Sequence, residues 1–182
     1  MYHYQLLGPG FKRGHTVDSP ATLLDIYPTL LDAASLPYKT ELDGVGLNSA
    51  TPIPSNRPII SHYHGEHMNS SAFMVFQDNI KLIHYTDADN QLFNLTSDPD
   101  ELTPIENPEL ESRLFELLKN TLVHTPQEIA DEVKSYNKRS FKNWKASKGD
   151  NYVDEISNLR WEIDFKKDHT ENLAKIEKWL AE

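Results

Sequence analysis

Apolar and polar positions between residues 59 and 95 follow the short pattern that is typical of a β-sheet. Four runs rich in Ile, Val, Phe and Tyr are separated by Asp, Asn and Gly: Ile59–His64, Phe73–Phe76, Ile80–Tyr85 and Leu92–Leu95. Between the second and third runs, Gln77-Asp78-Asn79 indicates a hairpin turn, because Asp and Asn tolerate positive φ. The pattern therefore predicts a small antiparallel sheet of four strands.

After residue 107 the apolar spacing changes to that of amphipathic helices. A helix that begins at Pro108 carries one apolar stripe, which consists of Leu110, Leu114, Leu117, Leu118 and Leu122. A second helix begins at Thr125-Pro126-Gln127-Glu128, where a capping box is combined with proline at the first helical position. Gly149 indicates the end of this second helix.

The last 25 residues add two shorter elements. Leu159–Lys166 alternates apolar and charged residues, which predicts a half-buried strand. The positions of Ile156, Leu159 and Ile163 would also suit a helix, so both alternatives stay open. Thr170 is expected to cap a final amphipathic helix.

The first 58 residues combine a strand, a kinked helix and a loop. Tyr4–Leu7 is a short apolar run closed by the turn signal Gly8-Pro9-Gly10, which predicts a strand. Ser19 followed by proline indicates a helix start, and Pro28 should kink or split the helix that follows. The segment 48–58 carries three prolines among Ser and Asn and predicts a linker or a long surface loop.

Together these elements predict an α+β fold, in which a four-stranded antiparallel sheet is packed by one helix. A strand and a helix precede the sheet, and a helical extension with one strand follows it. The chain is expected to divide into residues 1–48, 57–123 and 124–182. Acidic residues outnumber basic ones 13 to 5 up to residue 107, whereas the balance beyond it is 15 to 13. This change in composition supports a boundary near residue 108.

Composition excludes several classes of function. The 182 residues carry a formal net charge of -10, which argues against a nucleic-acid-binding domain. No apolar run is long enough to span a bilayer, and no basic-then-apolar leader follows Met1, so we expect no membrane partner. The chain has no cysteine, which agrees with a cytoplasmic location; a leader upstream of residue 1 would change that expectation.

The densest group of chemically active side chains is Ser61–His67. His62 and His64 share one face of the first predicted strand, because strand side chains alternate. With Glu66 or His67 they have the donor types of a zinc site, but zinc needs four placed ligands and only the spacing supports these. The alternative is that the histidines are polar residues at the rim of a pocket. No nucleophile elbow and no phosphate-binding glycine loop accompanies them.

Six short motifs, in order over the first 107 residues, resemble the C-terminal part of a formylglycine-dependent sulfatase, within the alkaline phosphatase superfamily. Each motif is common alone, but their order is specific. They are Leu6-Leu7-Gly8-Pro9-Gly10, Leu23-Leu24-Asp25-Ile26-Tyr27-Pro28-Thr29-Leu30-Leu31-Asp32, Leu42-Asp43-Gly44 with Leu47, Arg57-Pro58 with Ser61-His62-Tyr63-His64, Met74-Val75 with Ile80-Lys81-Leu82-Ile83, and Gln91-Leu92-Phe93-Asn94-Leu95 with Asp98-Pro99 and Glu101. From Thr125 onward the resemblance is thinner, and a Pro-led helix start there is similar to choline-sulfatase-like and phosphonate-hydrolase-like members.

The resemblance implies which parts of such an enzyme this chain holds. Residues 1–48 would belong to the end of a larger α/β domain, and residues 57–123 to a C-terminal subdomain. The family's formylglycine precursor, in a Cys/Ser-x-Pro-x-Arg motif, and its carboxylates for a divalent cation (Ca, Mg or Mn) lie upstream of the matched motifs. No catalytic or metal residue is therefore carried over, and this chain alone is expected to be inactive.

A substrate-binding role is implied for His62 and His64, because Ser61–His67 resembles a family loop near the mouth of the substrate pocket. His62 stands where the family often has Glu, which argues against a cationic substrate such as choline. We expect both imidazoles to be partly exposed. We expect Tyr63 to point to the opposite face and pack against the helix from Pro108.

Three interpretations follow, and we order them as given. The chain is a C-terminal sulfatase part whose partners are the upstream catalytic domain and, through it, a sulfate ester. Alternatively it is a standalone binding or assembly module derived from a sulfatase, or a small zinc protein using His62, His64 and His67. Because an orphan strand has unpaired edges, we also expect self-association, or pairing of Tyr4–Leu7 with Leu159–Phe165.

Overall fold

The computed structural model describes residues 5–8, 11–14, 16–37, 41–48, 53–65, 70–152, 155, 174–175, 177–178 and 181. Its elements run in the order 3-10 helix (Leu23–Asp25), α1 (Ile26–Ala33), β1 (Ile59–Tyr63), β2 (Ala72–Gln77), β3 (Ile80–Tyr85), β4 (Gln91–Asn94), α2 (Pro108–Thr121), α3 (Pro126–Lys148) and a second 3-10 turn (Gly149–Asn151). Two compact units are formed, by residues 1–126 and residues 127–182. The predicted α+β class is confirmed.

The four strands form one antiparallel sheet in the order β1-β2-β3-β4. The two residues that join β2 to β3, Asp78 and Asn79, have φ of 53° and 60°, which is the pattern of a type I′ hairpin turn. This turn fixes the register and pairs Phe73 with His84. On the other side of β2, His62 of β1 is paired with Phe73. One row of aromatic rings therefore crosses three strands near one end of the sheet.

The core of the first unit lies between the sheet and α2, which contacts β2 and β3. Buried apolar side chains of β2, β3 and β4 share one face and meet Leu114 and Leu118 of the helix; the set is Phe73, Val75, Ile80, Leu82 and Leu92. Phe93 is also buried, but alternation places it on the opposite face of the sheet, beside Lys81. Asn107 caps α2, because its Oδ1 accepts a hydrogen bond from the backbone N of Leu110 at 3.1 Å. The helix predicted from the leucine stripe is thereby confirmed, with Leu114 and Leu118 as its buried positions.

One buried carboxylate holds the N-terminal helical segment in place. Asp25 is 0% exposed, and its two oxygens accept a bidentate pair of hydrogen bonds from Arg57 at 2.8 and 2.9 Å. The same oxygens accept from the backbone N of Thr22 and of Val45, each at 2.8 Å. Burial by itself raises the pKa of Asp25, but these four hydrogen bonds outweigh it, and the pKa lies below the ordinary 3.8.

The loop of residues 41–48 packs closely against this segment. The hydroxyl of Thr29 accepts a hydrogen bond from the backbone N of Leu47 at 2.8 Å and donates to the carbonyl of Asp25. A Cβ at Gly44 would lie 2.0 Å from the carbonyl oxygen of Leu24, so only glycine fits there. The segment is thus attached to the rest of the unit by polar and backbone contacts.

The predicted helix start at Ser19 is wrong. The helix begins after Thr22, whose Oγ1 accepts from the backbone N of Leu24 while the Asp25 carboxylate accepts from the backbone N of Thr22. This reciprocal capping box satisfies two donors at once, which a lone serine does not. The hydroxyl of Ser19 donates to the carbonyl of Ile53 at 3.1 Å instead.

The helix does divide in two, but the division comes before the proline that was expected to cause it. A 3-10 turn ends at Asp25 and α1 begins at Ile26, so Pro28 lies in the first turn of α1. The first turn of an α-helix tolerates proline, because its N–H groups have no acceptor within the same helix.

The strand expected at Tyr4–Leu7 is also wrong for its described residues, since Gln5, Leu6 and Leu7 belong to no strand. A strand needs a neighbour for its backbone donors and acceptors, and none of the described strands pairs with this run. Tyr4 and the expected partner Leu159–Phe165 lie outside the described residues. The pairing of the two therefore stays a prediction.

In the second unit, α3 ends where it was predicted to end. Gly149 has φ of +55°, a left-handed conformation that glycine adopts without strain at a helix C-terminus. Two lysines of the last turns form ion pairs, Lys148 with Glu155 and Lys145 with Glu177. Residues 174–175, 177–178 and 181 are helical, whereas the predicted cap Thr170 lies outside the described residues. Over the described part of the chain, no helix has the length and apolar character needed to cross a membrane.

Candidate functional site

Two histidines at one end of the sheet form a hydrogen-bonded chain with a serine. His62 lies in β1 and His64 follows directly after the strand ends at Tyr63. His62 Nδ1 and His64 Nε2 are 2.7 Å apart, and His64 Nδ1 lies 2.8 Å from the hydroxyl oxygen of Ser71. These two hydrogen bonds link the end of β1 to the residue that precedes β2. His62 is exposed and His64 is half-buried, which confirms that both are partly accessible.

Both imidazole rings contact the ring of one buried phenylalanine. The ring of His62 stacks on Phe73 at 5.7 Å between centroids, and the ring of His64 meets the same phenylalanine edge-on at 5.4 Å. Phe73 is fully buried although it lies near the end of the sheet. Because a buried side chain in a packed core keeps one rotamer, the Phe73 ring limits the positions that both imidazoles can take.

The protonation of this pair is constrained by its geometry. Burial and the nearby charge of His62 lower the pKa of His64 below the ordinary 6.5. A hydrogen bond between two imidazoles requires one ring to present a lone pair, so the bonded pair holds at most one extra proton. With one extra proton the pair would carry one positive charge, which suits an anionic group such as a sulfate.

A third imidazole, which we did not single out from the sequence, belongs to the same row. His84 lies opposite Phe73 in β3, with 6.4 Å between ring centroids, and its Nδ1 is 2.8 Å from Asn90 Oδ1. The amide of Asn90 donates in turn to Glu111 Oε1 of α2 at 2.8 Å. This bond directs Oδ1 of Asn90 toward His84, so Nδ1 of His84 carries the proton. The two-residue hairpin turn was the signal that could have revealed this pairing.

Tyr63 does not pack against α2 as predicted, and its side chain is 60% exposed. The register explains the error. His62 is paired with the buried Phe73, so His62 lies on the face that α2 covers further along the sheet. Alternation then places Tyr63 on the opposite face. There its ring covers Gly65, where a Cβ would lie 2.2 Å from the tyrosine ring.

The donors expected for zinc are only partly described. Glu66 and His67 lie outside the described residues, so the zinc hypothesis that needs them stays a prediction. Across the described ranges, no group of three or more His, Cys, Asp or Glu side chains is placed to hold a metal ion. His62 and His64 direct one nitrogen each at the other, an arrangement that leaves those two nitrogens no lone pairs for a shared metal.

Comparison with known proteins shows that this sequence is similar to part of longer chains. The chain is 39% identical over 189 residues to arylsulfatase K of Danio rerio, 37% over 190 residues to that of Homo sapiens and 35% over 192 residues to that of Gallus gallus. These alignments cover 96–97% of this chain but only 35–36% of each relative. The chain thus spans about a third of the length of the curated relatives it matches, at their C-terminal end. No family model matches the chain.

Among solved structures, the chain is similar to BT1596, described as a 2-O GAG sulfatase, with 19% identity and a TM-score of 0.43 over 71% of this chain and 25% of that one. BT4656, solved with its substrate D-glucosamine-2-N,6-O-disulfate, gives 22% identity and a TM-score of 0.46 over 53% and 23%. The homology to sulfatases rests on the sequence comparison. The resemblance to the C-terminal part of a sulfatase, inferred from six ordered motifs, is confirmed.

Proposed function

We propose that this chain is the C-terminal part of a sulfatase whose whole polypeptide hydrolyses sulfate esters, and that it supplies part of the substrate pocket. The carrying observation is its identity of 35–39% with arylsulfatase K over nearly all of its own length. In this proposal its partners are the upstream catalytic domain and, through that domain, the sulfate ester.

The chemical step needs groups that this chain does not contain. Sulfatases of the resembled type use a formylglycine, made from cysteine or serine in a Cys/Ser-x-Pro-x-Arg motif, and a divalent cation. The chain has no cysteine and no such serine motif. Among its described residues no cluster is suited to a metal ion. The residues do not fit either group, so we assign the nucleophile and the metal ligands to the upstream part of the enzyme.

His62 and His64 are the side chains that we assign to substrate recognition. His62 is exposed, and its ring stacks on the buried Phe73. His64, held by Ser71, keeps the inner nitrogen of His62 occupied. Such a pair recognises the negatively charged ester or its alcohol portion without entering the bond-breaking step.

The test uses a chimera in which this chain replaces the matching C-terminal third of arylsulfatase K from Danio rerio. We expect the chimera to hydrolyse a chromogenic aryl sulfate, and we expect this chain alone to show no turnover above background. In the chimera, His62→Ala should change the ratio of kcat/KM among several sulfate esters. The matched control is His124→Ala, which removes an exposed histidine outside the cluster and should leave that ratio unchanged.

Two results would contradict the proposal. The first is turnover by the separate chain that survives repeated purification and is kept on addition of calcium or manganese. The second is a loss in His62→Ala that is uniform across esters and exceeds about a thousandfold. A loss of that size is typical of removing a central transition-state stabiliser. It would place His62 in the chemical step instead of the pocket wall.

A further inference from the structure

The third imidazole of the row, His84, lies on the same face of the sheet as the pair that we assign to substrate recognition. His62 of β1 and His84 of β3 are each paired with Phe73, and residues paired directly across an antiparallel sheet share a face. The ring of Phe73 lies 5.7 Å from that of His62 and 6.4 Å from that of His84. The two histidines therefore flank one buried ring at the same end of the sheet.

Two hydrogen bonds fix the tautomer of His84. Asn90 Nδ2 donates to Glu111 Oε1 at 2.8 Å, which turns the amide oxygen of Asn90 toward His84. That oxygen lies 2.8 Å from Nδ1 of His84 and can only accept, so Nδ1 is the protonated nitrogen. In the neutral imidazole the other nitrogen, Nε2, then carries a lone pair and acts as an acceptor.

Nε2 of His84 is accessible from outside the protein. Within the described ranges, every buried side-chain nitrogen or oxygen has a hydrogen-bond partner. No residue of those ranges forms a hydrogen bond with Nε2 of His84, so this atom is not buried. The ring itself is half-buried and contacts the rings of Phe73 and Phe115, the second at 4.7 Å between centroids. These contacts and the bond to Asn90 hold the acceptor in one orientation.

The charge around His84 differs from the charge at the neighbouring pair. With one extra proton, His62 and His64 carry a positive charge that suits a sulfate. His84 instead has a lone pair at its accessible nitrogen and the carboxylate of Glu111 two hydrogen bonds away. Both features repel a second anion, and both favour a hydrogen-bond donor that carries no negative charge.

The spacing of the two histidines fits a single small substrate. Neighbouring strands lie about 4.8 Å apart, so His62 and His84, two strands apart, are separated by roughly 10 Å. Two hydrogen bonds of about 2.9 Å each leave roughly 4 Å between the two groups that are recognised. In a sulfate ester of a cyclic alcohol, a hydroxyl on a nearby ring carbon lies at such a distance from the sulfate oxygens.

We propose that His84 is a specificity-determining residue that accepts a hydrogen bond from a hydroxyl of the alcohol portion, while the His62–His64 pair recognises the sulfate. Asn90 and Glu111 are positioning residues, because they act only through the tautomer of His84. The inference rests on the proposed function and deepens it, since it names the class of substrate: esters whose alcohol carries a further hydroxyl near the sulfate.

The kinetic test uses the chimera of this chain with the upstream part of arylsulfatase K from Danio rerio. The substrates are cyclohexyl sulfate and its 2-hydroxy and 3-hydroxy derivatives, which differ from it by one hydroxyl, and released sulfate is measured. For at least one derivative, the ratio of its kcat/KM to that of cyclohexyl sulfate should fall about fivefold in His84→Phe, the size of one net hydrogen bond. His124→Phe makes the same change at an exposed histidine outside the cluster and should keep the ratio.

Nitrogen-15 NMR of the imidazole rings tests the positioning residues, because it distinguishes the two tautomers. In the separate chain we expect His84 to carry its proton on Nδ1, both in the wild type and in Glu111→Gln, whose amide oxygen still accepts from Asn90. Glu111→Ala no longer orients Asn90 and should give a mixture of tautomers. In the chimera it should also lower the hydroxyl-dependent ratio, which Glu111→Gln should keep.

Two results would overturn the inference: a ratio that is the same in the wild type and in His84→Phe, or a wild-type His84 with its proton on Nε2. Turnover of cyclohexyl sulfate scores the proposed function separately. An active chimera with an unchanged ratio refutes the role of His84 and leaves the sulfatase assignment intact.

An inactive chimera counts against the proposed function, and the His84 subsite is then tested by binding. The same esters are titrated into the separate chain while the ring signals of His84 are followed. A saturable shift with a hydroxy derivative, but not with cyclohexyl sulfate, supports the subsite. Shifts that are absent or equal for all of the esters overturn it.

Discussion

Helices α1 and α2 belong to the same compact unit, but α2 buries apolar side chains, whereas α1 and the 3-10 turn before it bury polar ones. α2 places Leu114 and Leu118 against the sheet and buries none of its charged residues fully. α1 and the 3-10 turn before it place Asp25 and Thr29 inward and Tyr27 and Leu30 outward. Hydrophobic burial therefore attaches α2, whereas an ion pair and hydrogen bonds attach α1. The sheet and α2 bury apolar side chains against each other, whereas the 3-10 turn and α1 leave theirs exposed.

The largest expected effect tests the apolar packing of α2 against the sheet. Leu114→Ala removes a fully buried side chain between α2 and the sheet, and should lower the free energy of unfolding of the first unit by about 4 kcal/mol. All three tryptophans, Trp144, Trp161 and Trp179, lie in the second unit. Hydrogen exchange of β2 and β3 peptides is therefore the suitable measurement. A loss below about 1 kcal/mol would contradict a core centred on α2.

The second-largest expected effect tests the ion pair that attaches α1. Arg57→Ala leaves the carboxylate of Asp25 buried without its partner, which should cost roughly 3 kcal/mol, at the low end for buried pairs because Arg57 keeps 13% exposure. Adding Asp25→Asn should restore part of the loss, since the amide carries no charge. Protease sensitivity of residues 16–48 reports the detachment of α1.

The control for the ion pair is Lys119→Ala, which breaks an exposed pair with Glu116 and should change stability by no more than about 1 kcal/mol. The pH dependence has a definite sign. Because the pKa of Asp25 is lowered by folding, its stabilisation is present above the ordinary 3.8 and is lost as pH falls through the folded value. Equal losses for Arg57→Ala and Lys119→Ala would mean that the buried pair does not hold α1.

The sheet and α2 were predicted well from the sequence. Alternating strands and a leucine stripe each report a local period, and local periods determine the sheet and α2. The turn at Asp78-Asn79 even determines one pairing, because Phe73 and His84 both lie five residues from it. His84 could thus have been assigned to the aromatic row from the sequence.

The orientation of the 3-10 turn and α1 could not be predicted in the same way. The orientation of α1 depends on Asp25 and Arg57, which are 32 residues apart and give no periodic signal. A helical stripe of leucines predicts an apolar face but not whether this chain covers it. The contact of His64 with Ser71 likewise depends on the path of the chain between β1 and β2. The face occupied by Tyr63 was mispredicted because it depends on the β1–β2 register.

A smaller effect sharpens the comparison at the candidate site. The pKa of His64 is lowered in the folded protein, so the unfolded chain binds more protons near and below pH 6.5. The stabilisation is present above 6.5 and is lost as pH falls through the folded value. His64→Gln should remove this component of the pH dependence, measured between pH 7.5 and 5.0, where carboxylates of ordinary pKa stay ionised. His124→Gln is the control and should keep the full dependence.

The hydrogen-bonded chain makes the site experiment specific. Ser71→Ala removes the hydroxyl that holds His64 but adds no titrating group, so it should shift the pH midpoint without abolishing the dependence. A dependence that is the same in wild type and His64→Gln would mean that the imidazole pair does not stabilise the end of β1.

The smallest expected effect is the most informative about α1. Leu30→Ala in the separate chain should change the free energy of unfolding by no more than about 0.5 kcal/mol, because Leu30 is mostly exposed there. The same chemical change at Leu114 is expected to cost about 4 kcal/mol, so the pair isolates burial from residue type. Leu102→Ala, at another exposed leucine, should also stay within about 0.5 kcal/mol. Hydrogen exchange of the separate chain gives all three values. A cost at Leu30 close to the cost at Leu114 would contradict the outward orientation of the apolar side of α1.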